Sequence, residues 1–190
     1  MLCVTVLPPN AGMGGTPQSP NMPEPAIRLI EPEPRGGRAY ELVYYVPVAA
    51  DIYWRFKTDF DNAFLTDSEL IEEHRFLRRE GNVVVTEERY AFDPDTIYRW
   101  QTIVSPKEQR LEFTLLNPEE CGQKFHYGSI EIEAKGRTTK VTQTAYFDFF
   151  GASLWVHYPW SGGMRDMLLT TANWEREAVH RIRNRYAETP

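Results

Sequence analysis

Positive charge is in short supply. Lys and Arg number 21 against 27 Asp and Glu, a formal net charge of −6. Phosphate backbones and anionic bilayers are held by clustered cations, so a general nucleic-acid or anionic-membrane binder is not expected. No apolar run approaches the length of about eighteen residues that a membrane-spanning helix requires, and stable membrane insertion is not expected either. Cysteine is almost missing. Cys3 and Cys121 are the two present, which excludes a disulfide framework and suits a reducing cytoplasm. The opening MLCVTVLPPN has neither the basic start nor the long apolar stretch of a secretory signal.

Catalytic signatures are also scarce. The histidines at 74, 126, 157 and 180 fall in no H-E-x-x-H, and no C-x-x-C accompanies them, so no metal is expected. A G-x-S-x-G nucleophile elbow is absent. The GMGG stretch, Gly12 to Gly15, lacks the Lys-Ser/Thr ending, the preceding strand and the following helix of a phosphate cradle. No cofactor is implied.

What remains is a chain of ordinary globular composition. Its 190 residues suggest one domain with an appendage, and 42% hydrophobic residues suffice for a core. Residues 1–36 carry more than half of the fourteen prolines, with glycines and little periodicity. They read as a flexible tail, within which Ala26 to Ile30 could lie on the domain as a strand or strap. Residues 37–190 read as the folded domain. In it AYELVYYVPV, rich in β-branched and aromatic residues, predicts a strand. Ala49, Ile52, Tyr53, Phe56, Phe60 and Ala63 recur at helical spacing and predict two short helices ending near Ser68.

Six further strands follow: Ile71 to Arg79, Val83 to Phe92, Ile97 to Val104, Leu111 to Leu116, Phe125 to Ala134 and Lys140 to Phe149. The breaks at Glu80-Gly81-Asn82, Asp93-Pro94-Asp95, Pro106-Lys107, Asn117-Pro118 and Gly136 are turn chemistry. Their close spacing favours an antiparallel meander. A last helix runs from about Gly163 to Tyr186, long enough to cross a small domain. The class is α+β: a curved seven-stranded antiparallel sheet wrapped around a long C-terminal helix.

This order and spacing resemble the helix-grip fold of the START/polyketide-cyclase (SRPBCC) superfamily. The resemblance spans about residues 39 to 186. It rests on YELVYYVPVAADIYWRFKTDFD as first strand and helix, on the glycine turn of RREGNVVVTEERY, and on GRTTKVTQTAYFDF before the last helix. It implies a cavity for a hydrophobic ligand between sheet and helix.

On the last helix, Met164, Met167, Leu168, Thr171, Trp174, Ala178, Val179 and Ile182 share one face at about 100° per residue. Glu175 interrupts that stripe. A carboxylate there must be paired, hydrated or protonated, so it is either a structural ion pair or a group that meets a ligand. Period-two alternation assembles the opposite wall. His126 and Gly128 go with Ile130 and Ile132. Gln143 and Phe147 go with Val141. Leu111, Phe113 and Leu115 form a third set, Tyr98 and Trp100 a fourth. For the strand from Val83 the register is open: Arg89 inward would neutralise Glu175, whereas a shift by one residue puts Tyr90 there. His126 is either a hydrogen-bonded core residue or a proton carrier.

The aromatic stretch YFDFFGASLWVHYPWSGGM places Trp155, Tyr158 and Trp160 on the loop before the helix. In a helix-grip domain these rings either rim the cavity or plug the end of the core. Three functions stay in view. One is a carrier of a small hydrophobic molecule, lipid-like or aromatic, held by Arg89, Tyr98, Trp100, Phe113, Gln143, Phe147, Trp155, Trp160, Met164, Met167, Leu168 and Thr171. Another, implied by the resemblance, is a cofactor-independent cyclase, dehydratase or aromatase with Glu175 and His126 as acid–base groups. The last is an interaction module with a protein partner.

Overall fold

The computed structural model describes residues 22–62, 70–150 and 163–187. Strand β1 (Ala26–Ile30) precedes β2 (Arg38–Val46) and helix α1 (Ala50–Thr58). A run of six strands follows: β3 (Ile71–Glu80), β4 (Val83–Tyr90), β5 (Asp93–Ser105), β6 (Arg110–Leu115), β7 (Gln123–Lys135) and β8 (Thr138–Phe149). The long helix α2 (Met164–Ala187) ends the described chain. All strands join one antiparallel sheet in the order β1-β2-β8-β7-β6-β5-β4-β3. The meander β3 to β8 is thus closed on one side by the returning β2.

The sheet has eight strands rather than the expected seven. The extra one is β1, which pairs with β2 from Ala26 opposite Val43 to Ile30 opposite Ala39. Its isoleucines, Ile27 and Ile30, are half-buried while Leu29 is exposed, so backbone pairing holds it more than burial does. Of the two short helices expected, α1 is described; the second, expected to end near Ser68, falls largely on residues outside the described ones. The break expected at Asp93-Pro94-Asp95 moves two residues earlier, to Ala91-Phe92, because Tyr90 already pairs with Asp93.

Alternation in β2 sends Tyr40, Leu42, Tyr44 and Val46 into the core. On α1, Tyr53 and Phe56 lie one turn apart and are buried. On α2 the buried positions are Met164, Leu168, Ala172, Glu175, Ala178, Val179 and Tyr186, a stripe with the i, i+4, i+8, i+11 spacing of a helix packed on one side. That helix lies against β2 and α1. The grip is therefore tight at the β2–β8 side, and the two helices leave room beneath them toward β3, β4 and β5.

Gly128 on β7 explains one detail of that room. It faces Phe113 of β6 in register, and a Cβ there would stand 2.0 Å from the Thr144 carbonyl oxygen and 2.6 Å from the Phe113 ring. Only glycine lets β8 and the Phe113 ring come this close. A satellite cluster of Tyr98, Leu115 and Cys121 sits apart from the main core. Among the described residues no helix is long and apolar enough to cross a membrane.

Candidate functional site

A cavity of about 250 Å³ opens between the sheet and the two helices. Its apolar wall includes Phe56, Phe60, Trp100, Phe113, Met167 and Leu168; polar groups reach it from Lys57, His74, Glu88, His126, Gln143 and Glu175.

Glu175 is buried, at 4% exposure, and every available partner converges on it. Tyr44 of β2 donates its hydroxyl to Oε2 at 2.6 Å, and Tyr53 of α1 donates to the same oxygen at 2.5 Å. Lys57 Nζ, four residues beyond Tyr53 on the same face of α1, donates to Oε1 at 2.5 Å. Burial pushes the Glu175 carboxyl up, but the Lys57 charge and the three hydrogen bonds outweigh it and leave its pKa below the ordinary carboxylate value. Tyr44 and Tyr53 are both raised well above the usual phenol value, by burial first and then by the neighbouring Glu175 charge. The carboxylate is ionised and its donors keep their protons.

His126 of β7 is buried among rings. Trp100 stands edge-on at 5.0 Å, Phe113 lies at 6.2 Å and Phe147 at 5.7 Å, centroid to centroid. Burial alone lowers its pKa to about 4, so the imidazole is neutral near pH 7. Among the described residues its Nδ1 has no hydrogen-bond partner, and the buried Nε1 of Trp100 has none either. Two unpaired nitrogens on adjacent rings of one cavity wall are uncommon, because such groups are nearly always satisfied.

At the far edge of the sheet His74 of β3 bonds the Phe60 carbonyl through Nε2 at 2.8 Å and faces Glu88 Oε1 through Nδ1 at 3.4 Å. Burial lowers its pKa, but Glu88, the Phe60 carbonyl and Asp61 raise it further, and the net shift is upward. It ties the segment after α1 to the β3 edge.

Of the residues the sequence singled out, Glu175, His126, Trp100, Phe113, Gln143, Met167, Leu168 and Thr171 line the cavity together. Arg89 does not. Its side chain leaves on the opposite face of β4, paired with Glu73 at 2.9 Å and donating to the Pro94 carbonyl at 3.0 Å. The register that β4 adopts turns Thr86, Glu88 and Tyr90 toward the cavity, and Lys57 takes the role of counter-ion to Glu175. Tyr98 belongs to the satellite cluster and donates to Asp93 Oδ2 at 3.0 Å. Phe147 is packed in the core, stacked on Tyr40 at 5.9 Å, and Met164 is likewise core. Trp155 and Trp160 lie outside the described residues.

Lys57, Tyr44, Tyr53, His74 and Glu88 escaped the sequence reading. The helical periodicity of α1 did contain a signal for two of them: Tyr53 belongs to its apolar repeat, and Lys57 sits one turn beyond Tyr53, on the face that Phe56 and Phe60 make apolar. Among the described residues no three His, Cys, Asp or Glu side chains gather as metal ligands.

Solved structures share this fold. Norcoclaurine synthase from Thalictrum flavum, in complex with dopamine and hydroxybenzaldehyde, superposes with a TM-score of 0.57 at 12% identity, over 83% of this chain and 89% of that one. Ara h 8.0201 gives 0.59 at 12% identity, over 78% of this chain and 98% of that one. The di-domain ARO/CYC BexL from the BE-7585A biosynthetic pathway gives 0.52 at 11% identity, covering 83% of this chain and 52% of that one. No family model and no curated protein sequence matches the chain. The likeness is one of architecture: the chain has the helix-grip fold.

Proposed function

We propose that the protein binds a small hydrophobic, ring-bearing molecule in the cavity between the sheet and α2. The observation that supports this is the cavity itself: about 250 Å³ walled by Trp100, Phe113, Met167 and Leu168, with a neutral, unpaired His126 among them. Apolar walls with a few convergent polar groups are how small-molecule sites are built. An apolar cavity of about 150 Å³ takes up benzene, so a ligand of one or two rings is of the right size here.

Binding is favoured over acid–base catalysis by the state of Glu175. A carboxylate that already accepts three hydrogen bonds and is held ionised by Lys57 is a weak base and has no proton to give. That leaves His126 as the single acid–base group of the pair first considered.

Native mass spectrometry of the purified protein, followed by denaturing extraction, tests the reading. A stoichiometric small molecule that is lost when Leu168→Trp fills the cavity supports it. A protein that is reproducibly empty and ignores a panel of aromatic and lipid-like compounds overturns it.

A further inference from the structure

Among the described residues that line the cavity, Lys57 is the single Lys or Arg. Its side chain is 17% exposed and makes one hydrogen bond, to Glu175 Oε1. An ammonium carries three donors, so two N–H groups have no protein acceptor among the described residues.

The electrostatic setting of those donors is unusual for a cation. Glu175 Oε1 lies 2.5 Å from Nζ, and Asp59 and Glu88 line the same cavity. The other basic group on the wall, His74, is itself engaged with Glu88 and the Phe60 carbonyl. His126 is neutral. An incoming anion that reached Nζ would meet a cation already paired with the Glu175 carboxylate, with Asp59 and Glu88 on the same lining, so little of its desolvation cost would be returned. An uncharged oxygen incurs no such cost and gains a charge-assisted hydrogen bond.

From this geometry we infer that Lys57 anchors the ligand through an uncharged oxygen acceptor, a ketone, phenol or alcohol, and that the Lys57–Glu175 pair discriminates against carboxylates. The inference rests on the cavity reading above and narrows it: fatty acids and aromatic acids are excluded, and ring-bearing phenols and ketones are selected.

Two ligands of matched ring size make the test: 2-naphthol, neutral at pH 7, and 2-naphthoate, ionised at pH 7. Isothermal titration of the full chain with each should give at least tenfold tighter binding of the naphthol. In Glu175→Gln, where the Lys57 charge is released, the preference should shrink or reverse. In Lys57→Met the naphthol should weaken while the naphthoate stays poor. Equal affinity, or tighter naphthoate, in the unaltered protein overturns the inference, and that comparison needs no variant to fold. If neither compound binds while mass spectrometry still finds a bound small molecule, the anchor assignment falls and the cavity reading stands. An empty protein that binds neither removes both.

Discussion

The phenolic oxygens of Tyr44 and Tyr53 lie 2.9 Å apart because both donate to the same oxygen of Glu175. One comes from β2, the other from α1, and the acceptor is on α2. The carboxylate thereby ties the distant α2 to the consecutive elements β2 and α1, and Lys57 supplies the charge that makes its burial tolerable.

Removing that charge should be costly. Lys57→Met leaves a buried carboxylate with two neutral donors, and the loss of stability is expected at about 3 to 5 kcal/mol, as for other buried pairs broken on one side. Lys57→Met combined with Glu175→Leu should recover much of it, since no charge is then stranded. Denaturant unfolding of the two single variants and the double variant measures the coupling. An additive result would mean the pair is not coupled.

Tyr53→Phe removes one charge-assisted donor from Glu175 and leaves Tyr44 in place. The expected cost is roughly 1.5 to 3 kcal/mol. A change near zero in thermal unfolding would show that the Oε2 contact contributes nothing net.

His126 gives a pH dependence with a definite sign. Its folded pKa, about 4, lies below the unfolded value of roughly 6.5, so the unfolded chain takes up the proton first. Stability is full above about pH 6.5 and falls as the pH drops toward 4, by on the order of 3 kcal/mol. His126→Leu should flatten the stability profile across this window. If the variant keeps the wild-type slope, the loss comes from other groups.

His74 acts in the opposite sense. Its pKa is raised in the fold, so its contribution is fully present below the unfolded value of about 6.5 and is lost as pH rises through the folded value. His74→Gln should remove a decline in stability seen on the alkaline side of that value. An unchanged profile there would show that the Phe60–His74–Glu88 bridge carries no proton-linked stability.

Gly128→Ala should disrupt the sheet, because its Cβ would meet the backbone oxygen of Thr144 at 2.0 Å. Adding Phe113→Leu relieves the ring contact but not the backbone one, so it should not rescue expression or thermal stability. Full rescue would place the obstruction in the Phe113 ring alone.

Much of this architecture was legible in the order of residues. The alternation of Leu111, Phe113 and Leu115, and of Val141, Gln143 and Ala145, identifies inward faces because strand geometry is period two. The stripe on α2 identifies its buried side and singles out Glu175 for the same kind of reason. Turn glycines such as Gly81, with φ of +61°, mark hairpins locally. Arg89 and Tyr98 were decided elsewhere: local alternation leaves the two faces of β4 equivalent, and only tertiary packing turns Thr86, Glu88 and Tyr90 to the cavity, while Tyr98 shares the face of Trp100 but stands two residues further along β5, against Leu115 and Cys121.

What the chain determined by itself is thus the set of elements, their antiparallel sequence and the presence of one anomalous carboxylate, all of which follow from local periodicity and turn chemistry. Tertiary structure decided which groups meet that carboxylate. Lys57 and Glu175 are separated by 118 residues, and their encounter depends on how α1 crosses α2, a crossing set by packing of α2 on β2 and of α1 on β7 and β8 rather than by any pattern within either helix. The same packing decided that the space beneath the helices is a cavity and not a filled core.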